Sequence, residues 1–183
     1  MGRLFVISGS SGVGKGTVIN SFLGNHPEFR LSISCTTRGK REGEEHGVNY
    51  FFLSREEFKS CIENNEFLEW AEFSGNYYGT KKEFVQKCLA KGENLILEID
   101  TKGALNVKKI MPEATLIFIA PPSIEELEAR LRGRHTETEE AIQKRLASIK
   151  SEIENSKRYD YVVVNDTVEN AVKKIGEITG VNI

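Results

Sequence analysis

The chain has 183 residues, 39% hydrophobic and 28% charged, with 25 basic and 27 acidic side chains and a formal net charge of −2. That length suits one domain with a full core and a small insert. The near-neutral balance argues against a general nucleic-acid or membrane surface, so any anion site must come from local placement. The three cysteines, Cys35, Cys61 and Cys88, are odd in number and far apart. They form neither a metal spacing nor a disulfide framework, which fits a reducing compartment. Arg3 is followed by only four apolar residues before Ser8, too few for a signal peptide, and no apolar run approaches the ~18 residues of a membrane span. The expected location is the cytoplasm.

The first run, "RLFVIS" (3–8), reads as a strand, and a helical pattern over 15–24 follows it. Between them lies Gly9-Ser10-Ser11-Gly12-Val13-Gly14-Lys15-Gly16-Thr17. Gly9, Gly14 and Lys15 fit the spacing G-x-x-x-x-G-K. Glycines let such a loop curl so that backbone N–H groups and the helix N-terminus point at phosphate oxygens, with the lysine reaching the β- and γ-phosphates. The strict pattern has Ser or Thr directly after the lysine; here Gly16 stands there and Thr17 follows. Thr17 is therefore expected to contact a phosphate, with Mg²⁺ held mainly by phosphates and water.

Residues 33–83 differ in texture: polar, rich in Arg, Glu, Tyr and Gly, with "VNYFFL" and "FLEWAEF" as strands and a helix over 55–65. They read as a small insert. Arg38, Lys40 and Arg41 stand beside Glu42, Glu44 and Glu45, which is ordinarily a solvated loop of compensating charges. With Tyr50 following, the same arginines are suitable parts for a second phosphate site, since guanidinium forks bind phosphate oxygens two at a time. Glu69 and Glu72 lie on an otherwise apolar strand. A carboxylate there can accept the adjacent N1–H and N2–H donors of guanine, which adenine lacks; the residues alone do not decide which of the two does so.

Beyond the insert, "LILEID" (95–100), "TLIFIA" (115–120) and "YVVVN" (161–165) are nearly continuous apolar runs, expected as parallel strands buried on both faces. Helical patterns cover 101–110, 123–134, 137–157 and 167–179. The alternation implies an α/β sandwich with right-handed crossovers. A polar stretch, 130–145, joins two helices, with Thr136 or Thr138 placed to cap the second. His26, His46 and His135 share no ligand spacing and are expected at the surface; Trp70 and the phenylalanines are expected in the core, and Cys35 as a small buried residue.

The stretches "GSSGVGKGT", "SISCTTRGKREGEEHGVNYFF", "EWAEFSGNYYGT", "LEIDTKGA", "RLRGRHTETEEAIQKRL" and "YDYVVVND" together resemble the guanylate kinase family nearly end to end. The resemblance implies a P-loop NTPase, a three-layer α/β sandwich with a parallel central sheet. It divides the chain into a core (1–32, 84–125 and 155–183), a mixed α/β GMP-binding insert (33–83) and a helical lid (126–154). It implies phosphoryl transfer from ATP to GMP with Mg²⁺, with no nucleic-acid or membrane partner. By position, Ser34, Glu69 and Thr80 match the guanine contacts, and Arg38, Arg41, Tyr50 and Tyr78 the groups on the GMP phosphate. Asp100 matches an acidic residue near the guanosine and metal region, with Glu98 two residues earlier on the same strand face. Arg134 and Arg145, and more weakly Arg130, match lid arginines over the transferring phosphoryl group; Asn165 and Asp166 match the segment near the ATP adenine. Three positions depart from the family pattern: Gly16, Lys102 where Gln is common, and His135 where Gly is common. Two rival readings are a kinase of the same frame acting on a phosphorylated ribose and a non-catalytic domain that binds phosphopeptides. The intact guanine set speaks against the first, and the retained loop glycines and Lys15 against the second.

Overall fold

The computed structural model describes residues 1–10, 12–133 and 138–181, without the side chains of Leu127, Arg130, Leu131 and Arg145. In chain order the elements are β1 (Leu4–Gly9), α1 (Lys15–Asn25), β2 (Phe29–Leu31), β3 (Cys35–Thr36), β4 (Phe51–Phe52), α2 (Arg55–Glu63), β5 (Phe67–Phe73) and β6 (Asn76–Lys81). They continue with α3 (Lys82–Ala90), β7 (Asn94–Glu98), α4 (Thr101–Ile110), β8 (Thr115–Ala120), α5 (Ile124–Gly133), α6 (Glu139–Ser156), β9 (Tyr161–Val164) and α7 (Val168–Thr179). This is an α/β fold with a parallel central sheet, ordered β2-β7-β1-β8-β9. By packing, the chain forms two compact units. One holds Met1–Phe5, Glu28–Leu97 and Lys102–Ala114; the other holds Val6–Pro27, Glu98–Thr101 and Thr115–Ile183.

The second unit is organised by apolar strands. Val6 and Ile7 of β1 and Leu116 to Ile119 of β8 are buried, as the continuous runs require. β9 departs from that expectation. It pairs in parallel with β8 and ends the sheet, and Tyr161, Val162 and Val164 stay 46%, 50% and 48% exposed. An apolar run shows that a strand forms, while burial on both faces needs neighbours on both sides. α7 packs on α1 through Ala171, Val172 and Ile175. Its start is fixed by Thr167, whose hydroxyl accepts the Asn170 N–H, and its end by Gly180 at φ 78°. Thr138 caps α6 in the same way, accepting from Ala141 N–H.

The first unit contains a mixed sheet ordered β4-β3-β6-β5, parallel between β3 and β4 and antiparallel elsewhere. Under it Cys35, Phe58, Cys61 and Phe67 form a small core, with Phe58 stacked on Phe67 at 4.3 Å between centroids. α2 begins with a reciprocal cap, Ser54 to Glu57 N–H and Glu57 to Ser54 N–H. Cys35 is buried as expected, and burial pushes its thiol up to about 12. Three single-residue expectations fail. Trp70 and Phe73 are 45% and 72% exposed, because both lie on the edge strand β5. His26 is buried at 6% exposure, because it stands one turn beyond Phe22 at the end of α1 and packs on that ring at 4.6 Å.

Candidate active site

The loop after β1 is shaped by what a side chain would strike. A Cβ at Gly9 would come within 2.6 Å of the Ile119 carbonyl oxygen, so only glycine lets β1 end hard against β8. Gly12 and Gly14 then take φ of 83° and 88°, which favours glycine, and Val13 N–H closes the turn on Ser10 O at 3.1 Å. α1 opens with no side-chain cap and no acidic residue in its first turn. Its leading N–H groups are thus left for a ligand, and an anion is the ligand they favour. Lys15 Nζ lies 3.9 Å from Glu98 Oε1, a loose and partly hydrated pair. At Gly16 a Cβ would meet only that same Glu98 oxygen, at 3.9 Å.

Asn165 ties this loop down. Its side-chain amide donates to Val13 O at 2.7 Å in a buried bond, and its backbone N–H donates to Ala120 O at 2.9 Å. Gly12, Val13, Gly14, Thr17, Gly133, Asn165 and Val168 line a cavity of about 480 Å³, within the range of small-molecule sites. Asp166 is committed differently. Its carboxylate accepts the Thr167 N–H and the Asn170 side-chain amide, and the Thr167 bond leads in lowering its pKa.

The other unit carries a separate set of polar groups. β5 and β6 pair Glu69 with Thr80 across a register shift, and the Thr80 hydroxyl donates to Glu69 Oε1 at 2.7 Å. Both residues are buried, whereas Glu72 is exposed, so the structure separates the two carboxylates the sequence left open. Ser34 anchors the neighbouring strand by accepting Phe51 N–H at 2.9 Å. Arg38 lies 5.4 Å from the Tyr50 ring centroid, and Tyr50 and Tyr78 meet edge-on at 6.3 Å. Glu44 grips Arg38 with both oxygens, at 2.7 and 3.0 Å, and accepts Arg41 N–H at 2.9 Å. The Arg38 bond, followed by the Arg41 N–H, holds the Glu44 carboxyl down at about 2.

A glycine-rich loop before an uncapped helix in one unit, and a buried carboxylate and an Arg38–Glu44 pair in the other, are parts suited to a nucleotide. Which one is decided by comparison. A family model described as guanylate kinase matches residues 1–180. The chain belongs to the guanylate kinase family. A guanylate kinase of Halalkalibacterium halodurans is 52% identical over 177 residues, covering 97% of this chain and 87% of that protein. One from Bacillus cereus is 53% identical over 178 residues, with 97% and 87% covered. Among solved structures, the crystal structure of guanylate kinase from Anaplasma phagocytophilum matches with a TM-score of 0.76 and 34% identity over 98% of this chain and 85% of that one. A shikimate kinase from Bacteroides thetaiotaomicron, at 13% identity and a TM-score of 0.53 over 98% and 99%, shares the fold alone.

As a member of this family the chain is a nucleoside monophosphate kinase. Of the site residues expected from sequence, Gly9, Ser10, Gly12, Val13, Gly14, Lys15, Gly16, Thr17 and Asn165 come together around the loop. Ser34, Arg38, Arg41, Tyr50, Glu69, Tyr78 and Thr80 fall on or beside the mixed sheet. Glu98 ends β7 and Asp100 follows it; both are exposed and group with the loop's unit. Lys102 is exposed in the first turn of α4. Arg130 lies on α5 and Arg145 on α6. Ser11, Arg134 and His135 lie outside the described residues. Sequence reasoning missed Glu44, which it counted as a compensating charge. The available signal was its spacing of six from Arg38 and three from Arg41.

Proposed function

We propose that the chain transfers the γ-phosphoryl group of ATP to the phosphate of GMP, giving ADP and GDP for purine nucleotide metabolism. The observation that carries the acceptor reading is the buried Glu69. Its Oε1 takes the Thr80 hydroxyl at 2.7 Å. A carboxylate offers about four acceptor positions, so that bond orients the group without exhausting it. Guanine supplies two adjacent N–H donors to such a group; adenine supplies no such pair, which is a strong ground for rejection.

In this reading the loop N–H groups and the first turn of α1 hold the donor's phosphates. Lys15 neutralises charge as the phosphoryl group moves. Ser10 supports the loop's role, since its buried hydroxyl has no partner among the described residues and a phosphate oxygen would supply one. Arg38 and Arg41, with Tyr50 and Tyr78, hold the acceptor phosphate, and Arg134 and Arg145, with Arg130, serve the transferring group. The GMP phosphate oxygen is already a nucleophile, so holding it in line does most of the work. Ser34, Asp100 and Glu98 complete the acceptor set. Asn165 shapes the donor pocket, and Asp166 organises the turn into α7.

Mg²⁺ is the expected cofactor, and the loop fits it in one manner. Thr17 carries the first hydroxyl after Lys15, Gly16 carries none, and among the described residues no cluster of three or more acidic, His or Cys side chains could form a cage. Such a site suits an ion that keeps its waters and its nucleotide oxygens. Bound with ATP, the ion would neutralise phosphate charge. The core, insert and lid division and a cytoplasmic location belong to the same reading. Among the described residues, no helix is long and apolar enough to cross a membrane.

The test offers GMP, AMP, CMP, UMP and ribose bisphosphate separately with ATP and Mg²⁺ and measures ADP. Turnover with GMP alone is expected, and Glu69→Gln is expected to cut kcat/KM for GMP about a hundredfold while leaving ATP binding intact. Turnover with another acceptor overturns the base assignment. Tight phosphopeptide binding without turnover makes the chain a binding module instead.

A further inference from the structure

Arginines that receive a substrate phosphate are usually pictured as waiting unpaired. Arg38 is not. The arrangement of its donors shows what its partner does. A guanidinium has five N–H groups in a fixed plane, forming two forks: an end fork of Nη1 and Nη2 and a side fork of Nε and Nη2. Nη1 spends both protons, on Gly39 O at 2.8 Å and Glu44 Oε2 at 3.0 Å. Nη2 spends one on Glu44 Oε1 at 2.7 Å. Glu44 therefore occupies the end fork and not the side fork, and Tyr78 is a further hydrogen-bonding neighbour of the Arg38 side chain. A phosphate can take the side fork with two oxygens while Glu44 keeps the end fork.

Glu44 also shapes the backbone that carries the second arginine. Its Oε2 accepts Arg41 N–H at 2.9 Å, and its own N–H donates to Arg41 O at 3.2 Å. The turn between them runs through Gly43 at φ 81°. One carboxylate thus fixes the guanidinium plane of Arg38 and the chain position of Arg41. The pair is well shielded, with side-chain exposures of 15% and 18%, and the Arg38 plane lies 5.4 Å from the Tyr50 ring centroid.

We propose that Glu44 is a positioning residue for the acceptor phosphate, holding Arg38 edge-on and Arg41 in register so that both are ordered before GMP arrives. The inference rests on the GMP reading above. Pre-ordering removes the rotamer entropy that a long side chain otherwise loses on binding. The cost is that Glu44 cancels part of the positive charge, so it serves geometry rather than attraction.

The test is Glu44→Gln, nearly isosteric but unable to accept at both positions, with Glu44→Ala as the stronger perturbation. Glu44→Gln is expected to raise the GMP KM about tenfold, with the ATP KM unchanged. Binding of guanosine, which has the base but no phosphate, should be unchanged. The effect should shrink in an Arg38→Lys background, where neither fork exists and only the Arg41 N–H contact of Glu44 remains. A lower GMP KM in Glu44→Gln would overturn the proposal, because Glu44 would then be blocking the phosphate seat. Equal losses for GMP and guanosine would overturn it as a collapse of the insert, and full additivity with Arg38→Lys would overturn the orienting role. A wild-type chain that ignores GMP fails the function reading and this one together; a wild type that binds GMP, with an unaffected Glu44→Gln, fails this one alone.

Discussion

The two regions proposed to hold phosphate are built by opposite means. The loop at Gly9–Thr17 uses backbone, with glycines forced by a close β8 carbonyl or by positive φ, and an uncapped helix start. The Arg38–Tyr50 region uses side chains, already held by Glu44 and by the edge-on contact of Tyr50 with Tyr78. Its glycines are not crowded: a Cβ at Gly39 or Gly43 would meet nothing within 4 Å. A backbone site fixes its shape through the fold and takes any phosphate of the right size. A side-chain site must be ordered locally, and its order depends on ionisation. The same task therefore exposes the two regions to different kinds of damage.

The largest effect should come where the backbone site relies on one side chain. Lys15→Ala is expected to lower kcat by at least about a thousandfold with unchanged circular dichroism, since the loop's shape does not depend on Lys15. Near-normal turnover in that variant would break the contrast at its root. A smaller effect is expected at Asn165, where the loop's shape is held. Asn165→Ala strips the buried Val13 carbonyl of its donor, which should cost about 2 kcal/mol in chemical denaturation and raise the KM for ATP but not for GMP. Equal changes in both KM values would mean the tie is only structural.

The smallest effect concerns acid. Glu44 is held at about 2 in the folded chain, against an ordinary value of 4.5. A depressed carboxylate stabilises the fold fully above its unfolded value and loses that contribution as pH falls toward its folded one. The Arg38 pairing should thus be indifferent to pH between 8 and about 5 and weaken only between about 4.5 and 2. A carboxyl-carbon NMR titration of Glu44 reads this directly, and a midpoint near 4.5 would erase the pre-ordered character of the side-chain site.

Legibility followed the same division. The strand, glycine turn and helix of the backbone site could be read from Gly9, Gly14 and Lys15, because steric demands on a loop show as residue type. The side-chain site was legible as ingredients only. Glu69 and Glu72 differ by three positions on one strand and so face opposite sides of the sheet, but which side is buried is set by packing, which puts Glu69 inside and Glu72 outside. Glu44 looked like a charge in a mixed run until its partners were known. Edges were also hidden. The run at 161–165 and the aromatic Trp70 carry apolar residues that the sequence assigns to a core, yet both lie on strands that end their sheets. β2 and β3 are too short to show a period, whereas α3 carries one, Phe84 and Val85 with Cys88 and Leu89, that sequence reasoning missed.

The bond between Asn165 and Val13 joins residues 152 positions apart. During synthesis the glycine loop is made 152 residues before the amide that holds it. Contacts of such separation form late, after the intervening chain has closed. A nascent chain that has not yet reached Asn165 would therefore carry the glycine motif without the tie that holds its shape.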